Sequence, residues 1–259
     1  MDWILNPPQG FMIGGREIPY YGILVALGMF LGLLLCSRLA KKRGFKDDDI
    51  WTLALFVFPL AILGARIYYC VFSGQQYTFA EFWHIWDGGI AVYGSIIGGA
   101  IAVGLYCAIF KKNFWALADI VVVGVALGQA IGRIGCYFGH CCYGKEAISS
   151  LQFFPISIKH YGVWHYATFF YESLWNLIGM FILLRVLKIS TQKGTGLAVY
   201  LIWYGFGRAL IEGIRGDSLF IGSSPIRVSQ ALSVVLILVG VALLVFNIVK
   251  KRKGNGQEI

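Results

Sequence analysis

Arg133 stands at the end of a long apolar run and is followed at once by a turn rich in glycine and cysteine, Gly135-Cys136-Tyr137-Phe138-Gly139-His140-Cys141-Cys142-Tyr143-Gly144. An ionisable side chain at such a place either faces a protein interior or wet cavity with a partner, or snorkels to the membrane interface. Two further arginines repeat the pattern: Arg66 near the end of one apolar run and Arg208 inside another. Arg208 lies four residues from both Tyr204 and Glu212, so the three share a helix face, and an arginine–glutamate pair at that spacing lowers the cost of burying either. Arg66 and Arg133 have no carboxylate at helical spacing. Their partner is then expected from outside the local sequence, and phosphate is the anion that a planar fork of donors grips well. At membrane depth the phosphate to hand is a phospholipid head group.

The cysteines next to Arg133 invite other chemistry. Cys136, His140, Cys141 and Cys142 suggest a metal or a disulfide, but zinc wants about four ligands in a tetrahedron. The adjacent pair Cys141-Cys142 is awkward for that and strained for a disulfide. A bridge from Cys136 to one of the pair stays open on an outward surface. His140 could act as base to a thiol only if the fold brings the two together. The expectation is that these cysteines pack beneath a turn, with no metal and no cofactor.

The elements that position these groups follow from composition. A hydrophobic content of 58%, a charged content of 14% and a mean hydropathy of +0.71 leave too little charge to clothe a soluble surface, so the main solvent is lipid. Apolar runs at about Ile18–Ala40, Ile50–Phe72, Gly89–Phe110, Phe114–Ile134, Tyr166–Leu187, Leu197–Ile214 and Val228–Val249 each approach the roughly 20 residues a bilayer needs. This predicts an all-α polytopic membrane protein with seven transmembrane helices, read as one domain over 1–259. No cleavable signal precedes the first run. Lysines and arginines gather at Lys41–Lys46, Lys111–Lys112, Lys188–Lys193 and Lys250–Lys253, on alternate loops, which places the N-terminus outside and the C-terminus in the cytoplasm. That patterning accounts for the net charge of +9 without nucleic acid. The segment of about 135–165 becomes a small outward-facing head, and Glu81–Trp86 a short interfacial helix. Gly28 and Gly32, Gly94 and Gly98, and Gly124, Gly128 and Gly132 recur every four residues, a spacing for close helix packing. By the same topology Tyr21, Asp87, Tyr93 and Glu172 fall at outer ends of spans, where they either line a cavity or serve the interface.

In this order the residues resemble the bacterial prolipoprotein diacylglyceryl transferases. The matching stretches are Tyr20-Tyr21-Gly22, Gly64-Ala65-Arg66, Trp86-Asp87-Gly88-Gly89 with Tyr93-Gly94, Gly132-Arg133-Ile134-Gly135 with Tyr143-Gly144, Tyr171-Glu172, and Tyr204-Gly205-Phe206-Gly207-Arg208 with Glu212 and Arg215. The resemblance implies transfer of the diacylglyceryl group of phosphatidylglycerol to the lipobox cysteine of a preprolipoprotein signal peptide, releasing glycerol phosphate, as the first step of lipoprotein maturation in the bacterial cytoplasmic (inner) membrane. It implies that Arg133 and Arg208 hold the phosphate, that Glu212 orients Arg208, and that Tyr21 and Glu172 line the lipid site. Arg66, Asp87, Tyr204 and Arg215 join the substrate-binding set, and Tyr93 the catalytic set. The sequence departs from the family where histidine is frequent, at Tyr93, and where the signature usually carries asparagine, asparagine and glutamate, at Cys136, Gly139 and Cys141. The alternatives are a phospholipid-binding or transporting protein, or a relative with another acceptor.

Overall fold

The computed structural model describes residues 7–46, 48–73, 77–84, 88–216 and 227–255. Its long elements are α-helices: α1 (Tyr20–Lys42), α2 (Asp49–Phe72), α4 (Val92–Ile109), α5 (Phe114–Phe138), α6 (Thr168–Ile189), α7 (Thr195–Glu212) and α8 (Val228–Asn255), with a four-residue α3 (Phe79–Phe82). Six of them are long and apolar enough to cross a membrane. The exception is α7, an 18-residue helix whose apolar character is diluted by Arg208, Glu212 and its aromatic residues Tyr200, Trp203 and Tyr204.

The structure adds two antiparallel hairpins that the sequence reading did not foresee. In one, β1 (Gly10–Ile13) pairs with β2 (Arg16–Pro19) around Gly14 and Gly15; in the other, β3 (Ser157–His160) pairs with β4 (Val163–Tyr166) around Tyr161 and Gly162. All four turn residues have positive φ, the two-residue geometry whose twist suits a hairpin. A boundary also moves. Gly135–Phe138, expected to open the outer head, instead continue α5 by a further turn and carry Cys136 on the helix.

The chain divides into two compact units, one formed up to Leu35 together with the chain from Asp119 onward, the other by Cys36–Ala118. Within the second unit α2 packs on α4 through glycines. A Cβ on Gly64 would come within 2.5 Å of the Gly94 carbonyl oxygen, so the two backbones touch where a side chain cannot fit. In the first unit α1 meets α5 in the same way, at Gly28 and Gly32 against Gly128 and Gly124. The buried Asp119 fastens the start of α7, accepting hydrogen bonds from the Gly194 and Leu197 amides at 2.8 Å each. These are otherwise orphan donors of a helix N-terminus, and a carboxylate suits its dipole.

Hairpin β3–β4 stacks aromatic and imidazole rings at the head: His160 lies 4.4 Å from Tyr143 and 6.1 Å from His140, centroid to centroid. Burial, and then the neighbouring His140 and His165, hold the His160 pKa below the ordinary imidazole value. The folded hairpin therefore binds its proton less readily than the unfolded chain does. The contribution of the neutral His160 to stability is intact above about pH 6.5 and is lost as pH falls below that, through the folded value. We expect amide protection factors in β3–β4, corrected for the intrinsic pH dependence of exchange, to fall between pH 7 and 5, and His160→Gln to flatten that dependence; an unchanged slope in the variant would assign it elsewhere.

Candidate active site

Glu172 is the hub of the site. It sits one turn into α6, 6% exposed, and receives arginines from two other places in the fold. From α5, Arg133 brings Nε to 2.5 Å of Glu172 Oε2. From α7, Arg208 places Nη1 2.8 Å from Oε1, and Arg215, just beyond the end of α7, places Nη1 3.3 Å from the same oxygen. Arg208 also approaches Glu212, one helical turn on, at 3.1 Å from Nη2 to Oε2. That contact is close but poorly aligned as a hydrogen bond, so it holds Arg208 chiefly by charge.

The local sequence explains why these groups meet. Trp175 and Trp203 stack at 4.3 Å and 14°, and each indole N–H donates to the other residue's backbone carbonyl at 3.0 Å, bolting α6 to α7. Gly179 and Gly207 leave room for the two rings. With that register fixed, Glu172 lies opposite Arg208. Ser173 Oγ donates to the Ala130 carbonyl at 2.6 Å and ties α6 to α5 beside Arg133. Arg215 is set by a short bridge to Gly144, and Lys145 N–H donates to the Ile214 carbonyl at 2.8 Å. Trp203→Phe keeps most of the ring and removes one bolt. We expect it to cost about 1 kcal/mol of stability and to lower turnover several-fold through misplacement of Arg208, readable as a thermal unfolding shift in detergent alongside an activity measurement.

Among the described residues, three guanidiniums thus face the two buried carboxylates Glu172 and Glu212. Each guanidinium has five donors, far more than the two oxygens of Glu172 can accept. Beside Glu172 and Arg208 lies a cleft lined also by Asn176 and Tyr204. Tyr204 stacks on Tyr200, whose hydroxyl donates to Gln129 at 3.1 Å. Tyr21 packs beside Gly135 and Gly139, near Arg133 in sequence and on the same end of α5.

Cys142 also enters the site. Its sulfur lies 3.6 Å from Arg133 Nη1 and 3.7 Å from Arg215 Nη2, and Thr168 Oγ1 donates to its carbonyl at 2.6 Å. Hydrogen bonds from Cys136 and Cys141, and then the charges of Arg133 and Arg215, draw the Cys142 thiol well below the ordinary thiol range. A bound anion and this sulfur would draw on the same guanidiniums.

The remaining expected residues are placed differently. Arg66 belongs to the second unit, where its guanidinium donates to four backbone carbonyls: Phe82 at 2.9 Å, Gly88 at 2.9 Å, Gly89 at 2.8 Å and Glu81 at 2.6 Å. Its donors are taken by the end of α3 and by Gly88 and Gly89, acceptors that no side-chain spacing could show. Arg133 has a protein partner as well, a carboxylate brought by another helix. Tyr93 is half-buried near the start of α4, its ring 6.1 Å from Tyr68. Asp87 lies outside the described residues.

The family profile described as Prolipoprotein diacylglyceryl transferase matches residues 8–246. The chain belongs to the prolipoprotein diacylglyceryl transferase family. Among relatives named phosphatidylglycerol–prolipoprotein diacylglyceryl transferase, the protein of Streptococcus suis is 42% identical over 257 residues, covering 96% of this chain and 94% of its own. That of Bacillus velezensis is 38% identical, covering 94% and 93%, and that of Bacillus licheniformis 36%, covering 97% and 94%. The family is one of transferase enzymes. Sequence reading missed Ser229, whose hydroxyl lies 3.5 Å from Arg208 Nη2, and the approach of Cys142 to two arginines. A serine opening a helix carries no signal of such a role.

Proposed function

We propose that this chain transfers the diacylglyceryl group of phosphatidylglycerol to the lipobox cysteine thiol of preprolipoproteins at the bacterial cytoplasmic membrane, releasing glycerol phosphate. The observation that carries the reading is the convergence of Arg133, Arg208 and Arg215 on the buried Glu172. In the reaction the acceptor sulfur forms a bond to the glyceryl carbon while that carbon's bond to the phosphate oxygen breaks. The thiol loses its proton, and the leaving phosphate gains a negative charge. Guanidiniums fixed in advance around that phosphate stabilise the charge as it develops, which is the term expected to dominate. Arg133 and Arg208 hold the phosphate, with Arg215 beside them; Glu212 steadies Arg208; Tyr21, Glu172 and Tyr204 line the lipid site; Tyr93 and Asp87 assist the acceptor and the lipid; Arg66 serves the substrate site through its hold on the end of α3 and on Gly88 and Gly89.

The chain serves as a single membrane domain in which α7 is the seventh span, with the N-terminus outside, the C-terminus in the cytoplasm and the head on the outer face. The alternating lysine clusters support that orientation. A helix bearing an Arg–Glu pair can cross lipid when both charges face protein. The test is to mix purified protein with a lipobox peptide in vesicles of phosphatidylglycerol or of phosphatidylcholine, and to look for the diacylglyceryl thioether by mass. Product with phosphatidylglycerol alone is expected. An unmodified peptide, with phosphatidylglycerol still bound, would favour lipid binding or transport without chemistry.

A further inference from the structure

Three thiols converge at the end of α5. The sulfurs of Cys136, Cys141 and Cys142 all lie within 4.8 Å of one another, and all three cysteines are free. Packing alone does not ask for this, because neighbouring residues of an ordinary chain send their side chains to different sides. Here the backbone is bent to bring Cys141 and Cys142 to the same side. His140 has φ +48° and Cys142 φ +62°, a left-handed region that residues with a Cβ adopt at a cost, and the Cys141 N–H donates back to the Cys136 carbonyl at 3.1 Å. Such outliers persist where the surrounding structure fixes them, and here Thr168 and the Gly144–Arg215 bridge do so.

We propose that Cys136, Cys141 and Cys142 form a three-thiolate site for a thiophilic d10 divalent ion, Zn²⁺ being the one that fits. A metal–sulfur distance of about 2.3 Å sets sulfurs in a trigonal array about 4 Å apart, so the thiols need close by less than about 1 Å. Soft thiolate donors select this class of ion over calcium or magnesium. Each ligating thiol gives its proton to solvent, and no electron moves. Arg133 and Arg215 beside Cys142 favour the deprotonated sulfur that a metal requires. A fourth position remains for water or another thiol. The site goes beyond the transferase reading, and its test needs no turnover.

The experiment titrates reduced, detergent-purified full-length protein with Zn²⁺ and weighs bound metal by elemental analysis after desalting. A parallel titration with Cd²⁺ follows the thiolate-to-metal charge-transfer band. One ion per chain and a band saturating at one equivalent are expected. The triple variant Cys136→Ser, Cys141→Ser and Cys142→Ser should lose both, while Cys36→Ser, Cys70→Ser and Cys107→Ser together should lose neither. Because the triple variant could fail to fold, Cys141→Ser alone is the second arm, with Cys142 left against its arginines; it should weaken Cd²⁺ affinity at least tenfold. Wild-type protein that binds less than about one-tenth of an equivalent overturns the proposal. So does equal binding by Cys141→Ser, or protein isolated without reductant that is metal-free with two of the three sulfurs joined.

Discussion

Arg208→Ala and Arg133→Ala are each expected to reduce diacylglyceryl transfer roughly 100- to 1,000-fold, the scale seen when one fixed donor to a developing oxyanion is removed. Both side chains reach Glu172 from different helices, so removing either leaves the other in place and the carboxylate still paired. The protein should therefore fold and insert, and the loss should fall on chemistry. A phosphodiester carries one charge before the bond breaks and its monoester product carries more, so the arginines matter most in the transition state. The decrease should appear mainly in kcat, with a smaller change in KM for phosphatidylglycerol. Arg208→Lys is the sharper variant. It keeps the charge but not the planar fork that contacts Glu172, Glu212 and Ser229 together, and activity between parent and alanine variant is expected. Near-parental turnover in both alanine variants would remove the phosphate from this cluster.

How much of this site could be read in advance follows from the distance over which each interaction is encoded. Arg208 and Glu212 are one turn apart on one helix, so their pairing was visible in the spacing. Arg133 and Glu172 meet across α5 and α6, and no periodicity within either helix reports the other. The same limit hid the four carbonyls around Arg66, which belong to the end of α3 and to Gly88 and Gly89. In both cases the sequence shows a buried cation in need of an acceptor, and the protein acceptor stays hidden because it is not local. The reciprocal bolt between Trp175 and Trp203 is opaque for a further reason: either tryptophan alone reads as a membrane-interface ring.

The helices were legible because lipid imposes an apolar stretch on any helix that crosses it, and the seven runs coincide with helices of which six are long and apolar enough to cross a membrane. Their ends were less so. Gly135 and Gly139 suggested that α5 stops at Ile134, yet the helix runs to Phe138, where Cys136 and Tyr137 pack into the head core with Ile158 and Phe169. Tertiary packing outweighs the roughly 1 kcal/mol that glycine costs a helix. Hairpin β1–β2 could have been read from Gly14-Gly15, a strong two-residue turn signal between short strands. Tyr161-Gly162 gives a weaker one, since a tyrosine rarely takes the first, left-handed position.

Glu172→Gln should produce the largest loss of stability of any single change in the site. The amide keeps the shape of the carboxylate and removes its charge, so Arg133, Arg208 and Arg215 are left with Glu212 as the acidic partner among the described residues. Breaking a buried pair by neutralising one member typically costs about 3–5 kcal/mol, because the stranded charge remains out of water, and here one carboxylate serves three cations. We expect a clear fall in the thermal midpoint in detergent and little or no transfer. The variant also separates a structural hub from an anion site. With the carboxylate gone, the cluster gains one net positive charge, so a bound anion should now stabilise the protein more than it does the parent. Phosphatidylglycerol, or inorganic phosphate at high concentration, should raise the variant's midpoint by more degrees than it raises the parent's, by mass action on the folded state. Phosphatidylcholine, whose head group is zwitterionic, should not. If neither anion discriminates between variant and parent, the three arginines serve Glu172 alone and the phosphate binds elsewhere.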